Sequence, residues 1–282
     1  MPEIPELEAL ARAWQAWLPS PEITAVEVRS PSVMKTYAPP ADYLVGDFFT
    51  EVRRRGKWLF FDTRADRAVV IHLMKGGRLR RTEGKPALAR ADALAVRFAD
   101  GSTIRVAEVG SRKRSAAYFV EGDGSELVAH LGPEPLDPAF GVQELAAALG
   151  GTSRQLKPGL TDQRRIAGIG NAWSDEILHA ARLAPLTPTA RLEPAEIEAL
   201  HSAIREVLAE GICHALKDNY LEKLAPDKRA YLRIHKRQGQ PCFVCQTRLA
   251  AIHYGERVTT YCPSCQSGGR VYADRRLSRL LR

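Results

Sequence analysis

At 282 residues the chain is long enough to bury a sizeable core and to form about two domains. Its apolar content is ordinary, no apolar run nears the ~20 residues that span a bilayer, and the start lacks a basic-then-apolar signal pattern. A membrane or exported protein is therefore not expected, and a cytoplasmic one is. The formal net charge of +8 points to an acidic partner without separating DNA from RNA or a membrane surface.

The chain opens Met1-Pro2-Glu3. Removal of Met1 would leave Pro2 as a free secondary amine, a nucleophile able to form an iminium with a sugar aldehyde, with Glu3 beside it as acid or base. The plainer reading is that Glu3 and Glu6 favour a helix N-terminus through its dipole. Pro5 to Leu18 then places Leu7, Leu10, Trp14, Trp17 and Leu18 on one helical face. From there to about residue 130 the pattern is strand-like, in the runs that begin at Thr24, Trp58, Ala68, Leu94 and Ala116. Asp100-Gly101 marks a hairpin turn between two runs. Three prolines in Gly132-Pro-Glu-Pro-Leu-Asp-Pro138 form a natural boundary. Beyond it, helices are predicted over 142–149, 161–182, 194–212 and near 217–224, with Cys213 expected to be a buried, inert thiol.

Four of the five cysteines fall in two pairs, Cys242-x2-Cys245 and Cys262-x2-Cys265. Sixteen residues separate the pairs, a spacing that can hold one tetrahedral Zn²⁺ while the intervening chain forms a β-hairpin. Such a zinc is structural. Arg257, on the second arm, can be aimed at a phosphate. Gly168-Ile-Gly170-Asn171 precedes a helix-like run, where exposed N–H groups suit a phosphate. Basic clusters at 53–57, 75–81, 112–114, 228–237 and 270–282 fit a nucleic-acid-binding groove together, although each alone is more often a solvated face.

Taken in order, Met1-Pro-Glu-Ile-Pro-Glu6, Arg55-Gly-Lys57, His72-Leu73, His130-Leu-Gly-Pro-Glu-Pro-Leu136, Lys157-Pro-Gly-Leu-Thr-Asp-Gln163, Gly168-Ile-Gly-Asn171, Gly239-Gln-Pro-Cys242 and the run from Arg257 to Gln266 span nearly the whole chain. In these motifs the chain resembles the formamidopyrimidine-DNA glycosylase / endonuclease VIII family of bifunctional DNA glycosylases. The resemblance implies an α+β fold: an N-terminal helix plus β-sandwich (1–131), a hinge (132–140), a helix-two-turns-helix DNA-binding domain (141–234), a zinc finger (235–272) and a basic tail (273–282). It also implies a monomer acting on double-stranded DNA with damaged bases or abasic sites. Pro2 then becomes the Schiff-base nucleophile and Glu3 the carboxylate that assists opening of the sugar ring. Lys57 and Arg257 become the cations beside the scission phosphate, and Lys157 and Asn171 phosphate-site residues. Base excision would be followed by β,δ-elimination.

Departures from the purine-specific branch of that family concern the lesion. Lys75 stands where that branch has Met, with Met74 one place early, after His72. The loop that supplies an Arg and a Phe to the gap left by a flipped base has here Arg112 and Arg114 but no aromatic. His72, Met74, Arg112 and Arg114 are accordingly candidate DNA contacts, and a preference for oxidised purines is not expected. Two rivals are a non-catalytic damage- or abasic-site-binding protein on the same fold and an unrelated zinc-ribbon nucleic-acid protein. The first leaves the N-terminal amine without a use, the second leaves the N-terminal half unexplained.

Overall fold

The computed structural model describes residues 1–18, 20–84, 87–110, 114–151, 154–217, 230–255 and 257–272. The chain gathers into two compact units, one built around Met1–His130 and the other around Leu131–Gly211 and the C-terminal segment.

In the first unit, helix α1 (Ile4–Gln15) starts from Glu3 as N-cap, and the Glu6 carboxylate accepts the Glu3 N–H at 2.7 Å. This is half of a reciprocal cap that satisfies a donor the helix itself cannot. Leu7, Leu10, Ala11 and Trp14 bury one stripe of α1, and Trp17 and Leu18 pack onto the same core just past its end. The strands β1 (Ile23–Val28), β2 (Phe49–Arg55), β3 (Trp58–Thr63), β4 (Arg67–His72), β5 (Gly77–Thr82), β6 (Asp92–Phe98), β7 (Thr103–Glu108) and β8 (Ala116–Glu121) follow. They form two four-stranded antiparallel sheets in the orders β1-β6-β7-β5 and β2-β3-β4-β8. Phe49, Phe61, Leu94, Phe98 and Phe119 from both sheets meet α1 in one apolar core.

β7 is the second arm of the hairpin at Asp100-Gly101, whereas β2 and β5 escape the sequence reading because arginines interrupt their hydrophobic pattern. Arg53 stacks over Phe60 at 4.2 Å and pairs with Asp62 at 2.6 Å. Arg105 is 2% exposed and neutralised by buried Asp92 at 2.6 Å. A charge that carries its partner with it can sit inside a sheet. Arg80 reaches the same Asp92 at 3.2 Å, so part of the basic character at 53–57 and 75–81 belongs to the scaffold.

The second unit holds α2 (Val142–Leu149), α3 (Leu156–Thr161), α4 (Asn171–Ala180) and most of α5 (Pro194–Leu216), then the hairpin β9 (Ala250–Tyr254) and β10 (Arg257–Tyr261) and the short α6 (Pro263–Ser267). The single helix predicted over 161–182 is a turn followed by α4. Gly168 takes a left-handed φ of +84°, and the Gln163 side chain staples the turn by donating to the Thr161 and Ile169 carbonyls and accepting from the Gly168 N–H, each at 2.9 Å. Cys213 is exposed, against expectation. The buried positions Leu200, Ile204, Leu208 and Ile212 step along one side of α5, and Cys213 lies one residue, about 100°, off that stripe. The helix expected near 217–224 falls almost wholly outside the described residues, as do Arg112 and the basic tail from 273 on.

Candidate active site and metal centre

The first unit carries the Met1-Pro2-Glu3 segment. Pro2 and Glu3 lead directly into α1, and Glu3 is buried. Lys57, also buried, sits in the β2–β3 turn after Gly56, whose φ is +57°. One residue connects the two. The Arg54 guanidinium donates to Glu8 of α1 at 3.0 Å and to the Gly56 carbonyl at 2.9 Å, so the helix that starts at Pro2 and the turn that presents Lys57 share a clamp. Burial works to raise the Glu8 carboxyl, but the charges and hydrogen bonds of Arg54 and Arg12 outweigh it and hold Glu8 below its ordinary pKa.

His72 closes β4 with its ring edge-on to Trp58, centroids 4.8 Å apart. Its Nδ1 accepts the Met74 N–H at 3.1 Å, which leaves the proton of the neutral ring on Nε2. Met74 is half-buried with a left-handed φ of +49°, and Lys75 beside it is exposed. The loop then closes at Gly77, where a Cβ would come within 2.3 Å of the Leu73 carbonyl oxygen and 2.4 Å of Ser115 Oγ, so only glycine fits. Arg114 is exposed at the end of its loop.

Burial first, then the Lys57 charge, lowers the His72 pKa to about 4. The unfolded chain therefore binds the extra proton between pH 6.5 and 4 while the folded chain does not, and folding stability falls as pH drops through that window. The expected loss attributable to His72 is at most about 3 kcal/mol, nearly all of it present at pH 4 and complete only below that, where the folded ring is protonated as well. Denaturant melts of wild type and His72→Gln between pH 7 and 4 check it: the variant should have the flatter stability profile. An equal slope in both would assign the acid sensitivity elsewhere.

In the second unit, α4 presents a polar stripe, Asn171, Asp175 and His179, at successive i,i+4 positions on one face. Each residue grips the C-terminal hairpin region at a different level. Asn171 Nδ2 donates to the Val258 carbonyl at 3.0 Å. Asp175, 1% exposed, receives Lys157 Nζ at 2.5 Å on one oxygen, and His235 Nδ1 at 2.7 Å and the Thr260 N–H at 3.2 Å on the other. Lys157 also donates to the Val258 carbonyl at 3.3 Å. Glu176, next along, accepts the backbone N–H groups of Arg233, Ile234 and His235 at 2.8–3.0 Å, and burial nonetheless pushes its pKa up. Arg257, the exposed first residue of β10, is thereby held where a depression forms, lined among others by Arg154, Lys157, Asn171, Tyr254 and Arg257. Three sequence-predicted residues far apart in the chain thus share one concave surface. Asp175, Glu176 and His179 escape the sequence reading, although the spacing of Asn171, Asp175 and His179 at i, i+4 and i+8 is a legible signal.

The four paired cysteines converge. Sγ separations are 3.9 Å for Cys242–Cys265, 3.3 Å for Cys245–Cys262 and 3.4 Å for Cys245–Cys265. Four sulfurs each ~2.3 Å from one tetrahedral ion stand about 3.8 Å apart, so these edges fit a shared cation and are too long for disulfides. Hydrogen bonds from Thr247 pull the Cys245 thiol down to about 6, whereas burial and then the crowding sulfurs push Cys262 and Cys265 up. A divalent cation among them would favour the thiolate at every position. His179 Nε2 lies 3.3 Å from Cys242 Sγ, and His179, Cys242, Cys262 and Cys265 alone would also form a metal-holding group, with all ligand atoms within 4.8 Å of one another.

Residues 1–116 match the family model described as the formamidopyrimidine-DNA glycosylase N-terminal domain, and residues 131–218 match the formamidopyrimidine-DNA glycosylase H2TH domain. The formamidopyrimidine-DNA glycosylase of Pelotomaculum thermopropionicum is 33% identical over 276 residues, covering 94% of this chain and 99% of that one. That of Moorella thermoacetica is 36% identical over 255 residues, covering 87% and 92%. Among solved structures, the Lactococcus lactis formamidopyrimidine-DNA glycosylase bound non-covalently to DNA containing an abasic site superposes with a TM-score of 0.83 at 27% identity, covering 94% of this chain and 99% of that one. The same Lactococcus protein bound to DNA containing an oxidised pyrimidine gives 0.84 at 28%, covering 94% and 100%. Matches to both halves in the same order, carried by relatives of the same length, leave one assignment: the chain belongs to the formamidopyrimidine-DNA glycosylase family.

Proposed function

We propose that this DNA glycosylase works through Pro2, excising a damaged base from duplex DNA and then cutting the strand as an AP lyase. The observation that carries the reading is the Pro2-Glu3 pair at the head of α1, coupled through Glu8 and Arg54 to the turn that bears Lys57. A protein that only bound damage would have no need of such an amine. The Pro2 nitrogen attacks C1′, the glycosidic bond breaks, and its electron pair leaves with the base, which takes up a proton. The nitrogen gives up its proton, the C1′–O4′ bond breaks as O4′ takes one up, and the opened sugar is left joined to Pro2 as an iminium. Its positive charge acidifies the C2′ proton, and loss of that proton expels the 3′ phosphate; a second elimination expels the 5′ phosphate, giving β and δ products. Glu3 moves protons at the sugar ring.

The damaged nucleotide must leave the stack for C1′ to be reached, at a cost of a few kcal/mol that the protein's phosphate contacts offset. Lys57 and Arg257 supply cations to the phosphates around the lesion. Asn171 adds the second N–H of its amide and the N-terminus of α4, a favourable place for an anion. Lys157, its ammonium committed to Asp175 and Val258, adds positive charge beneath the depression rather than reaching out of it. Met74 and Arg114 are the described candidates to fill the gap left by the flipped base, with Arg112 in the same loop. One Zn²⁺ held by Cys242, Cys245, Cys262 and Cys265 would cross-link the hairpin that carries Arg257 and take no part in the reaction.

Incision of a panel of duplexes with oxidised purines, oxidised pyrimidines, uracil or an abasic site tests this. The abasic site, which needs no base pocket and little unstacking, is expected to be cut fastest. Opposite-base discrimination should be weak because no aromatic stands between Glu108 and Arg114. Tight binding across the panel with no strand cleavage would instead favour a non-catalytic damage-binding role.

A further inference from the structure

We infer that His179 is a reserve metal ligand: the centre holds five donors for a four-coordinate ion, and His179 takes the fourth position when Cys245 is unavailable. The inference rests on the zinc reading above. Its geometric basis is that the site contains two overlapping ligand sets. Cys245 lies within 3.3–3.4 Å of Cys262 and Cys265, completing a set of four sulfurs. His179, with Cys242, Cys262 and Cys265, completes a second set whose ligand atoms all lie within 4.8 Å of one another. Three sulfurs are common to both. An imidazole nitrogen and a thiolate on one tetrahedral zinc stand roughly 3.5 Å apart, from Zn–N of about 2.0 Å and Zn–S of about 2.3 Å, and the observed His179–Cys242 separation is 3.3 Å. One nitrogen–sulfur edge of the second set is therefore already at coordination length, and its remaining edges are no longer than 4.8 Å.

The two alternative donors differ in surroundings. Cys245 is exposed and stands on the loop arm of the first knuckle, whereas Cys242 and Cys262 are buried. His179 is buried on α4, the helix whose other polar positions grip the same hairpin, with its ring 5.2 Å from Phe243. An exposed thiolate is the ligand most open to oxidation or alkylation. A second donor fixed on a rigid helix would keep the ion, and with it the hairpin, in place after such damage. The rival role for His179 is a hydrogen bond from Nε2 to the Cys242 thiolate, outside the coordination sphere. Loss of an outer-sphere partner of that kind lowers metal affinity by about 10–100-fold.

The full-length protein, as Cys245→Ala, His179→Phe and the double variant, separates the two. Zinc content of the wild type, measured first, tests the zinc reading itself. Cys245→Ala should then retain one metal per chain. With Cd²⁺ or Co²⁺ in place of zinc, its ¹¹³Cd resonance or Co²⁺ absorption should change from an all-sulfur to a three-sulfur, one-nitrogen pattern. His179→Phe should keep the all-sulfur pattern, and the double variant should bind more than about 100-fold more weakly than Cys245→Ala, beyond what an outer-sphere bond is worth. Metal loss in Cys245→Ala equal to that in the double variant, or an oxygen donor in place of nitrogen, would overturn the proposal. Should Cys245→Ala fold poorly, Cys245→Ser gives the same readout, since a neutral hydroxyl is a poor zinc ligand.

Discussion

Protein that retains Met1, or carries one added residue ahead of Pro2, is expected to lose borohydride-dependent crosslinking to abasic DNA while binding that DNA within a few-fold of normal. An α-amino group has an ordinary pKa near 8, against ~10.4 for lysine, so a useful fraction is neutral at physiological pH. A secondary amine gives an iminium that has no N–H to lose and stays charged through elimination. Acylating that nitrogen removes its nucleophilic lone pair outright. Strand cleavage should fall on the order of 10³-fold or more, as when a nucleophile is removed from an active site. Mass spectrometry of the trapped species locates the attachment. Attachment at Lys57 in the blocked protein would show that the nucleophile is misassigned; Lys57 is the obvious rival because its turn is clamped to the same helix. Glu3→Gln should impair base excision more than cleavage of a preformed abasic site, since only the former needs help in releasing the base.

Asp175→Ala should be the most damaging substitution in the second unit. Removing this carboxylate leaves the Lys157 ammonium, 5% exposed, without its 2.5 Å partner, and strips His235 and the Thr260 N–H of theirs. Breaking a buried ion pair on one side costs about 3–5 kcal/mol. The cost falls on the junction of α3, α4, β10 and the 233–236 segment, which sets the position of Arg257. The expected result is a lower unfolding free energy for this unit together with weaker DNA binding. Asp175→Asn, which keeps an acceptor but loses the charge, should lie between the two. A double variant, Lys157→Met with Asp175→Leu, should recover part of the lost stability, because it removes both charges. If the double variant is no more stable than Asp175→Ala, the loss comes from packing rather than from an uncompensated charge.

The parts of this chain that were legible in the sequence are those in which one local pattern suffices. α1 declares itself through Leu7, Leu10 and Trp14, the hairpin through two CxxC pairs at a spacing that brings them together, and the apolar strands β1, β3, β4, β6 and β8 through their β-rich runs. β2 and β5 did not, because Arg53 and Arg80 read as surface charge until Phe60, Asp62 and Asp92 are seen against them. Cys213 misled for a related reason: a lone thiol in a helix carries no sign of which face it occupies until that helix is packed.

The site divides in the same way. Residue identity determined what chemistry is available: an amine behind Met1, a carboxylate next to it, four paired thiols, and cations at 57, 157 and 257. Only the tertiary structure decided which of these are committed elsewhere. Lys157 is drawn into Asp175, Glu6 closes the cap of α1, and His72 is kept neutral by burial and by Lys57. It also placed His179, 63 residues before Cys242 in the chain, 3.3 Å from the Cys242 sulfur. The physical reason is that a side chain's chemistry is local, whereas its protonation, its partner and its exposure depend on desolvation and on charges delivered by distant segments, and no one-dimensional pattern encodes those distances.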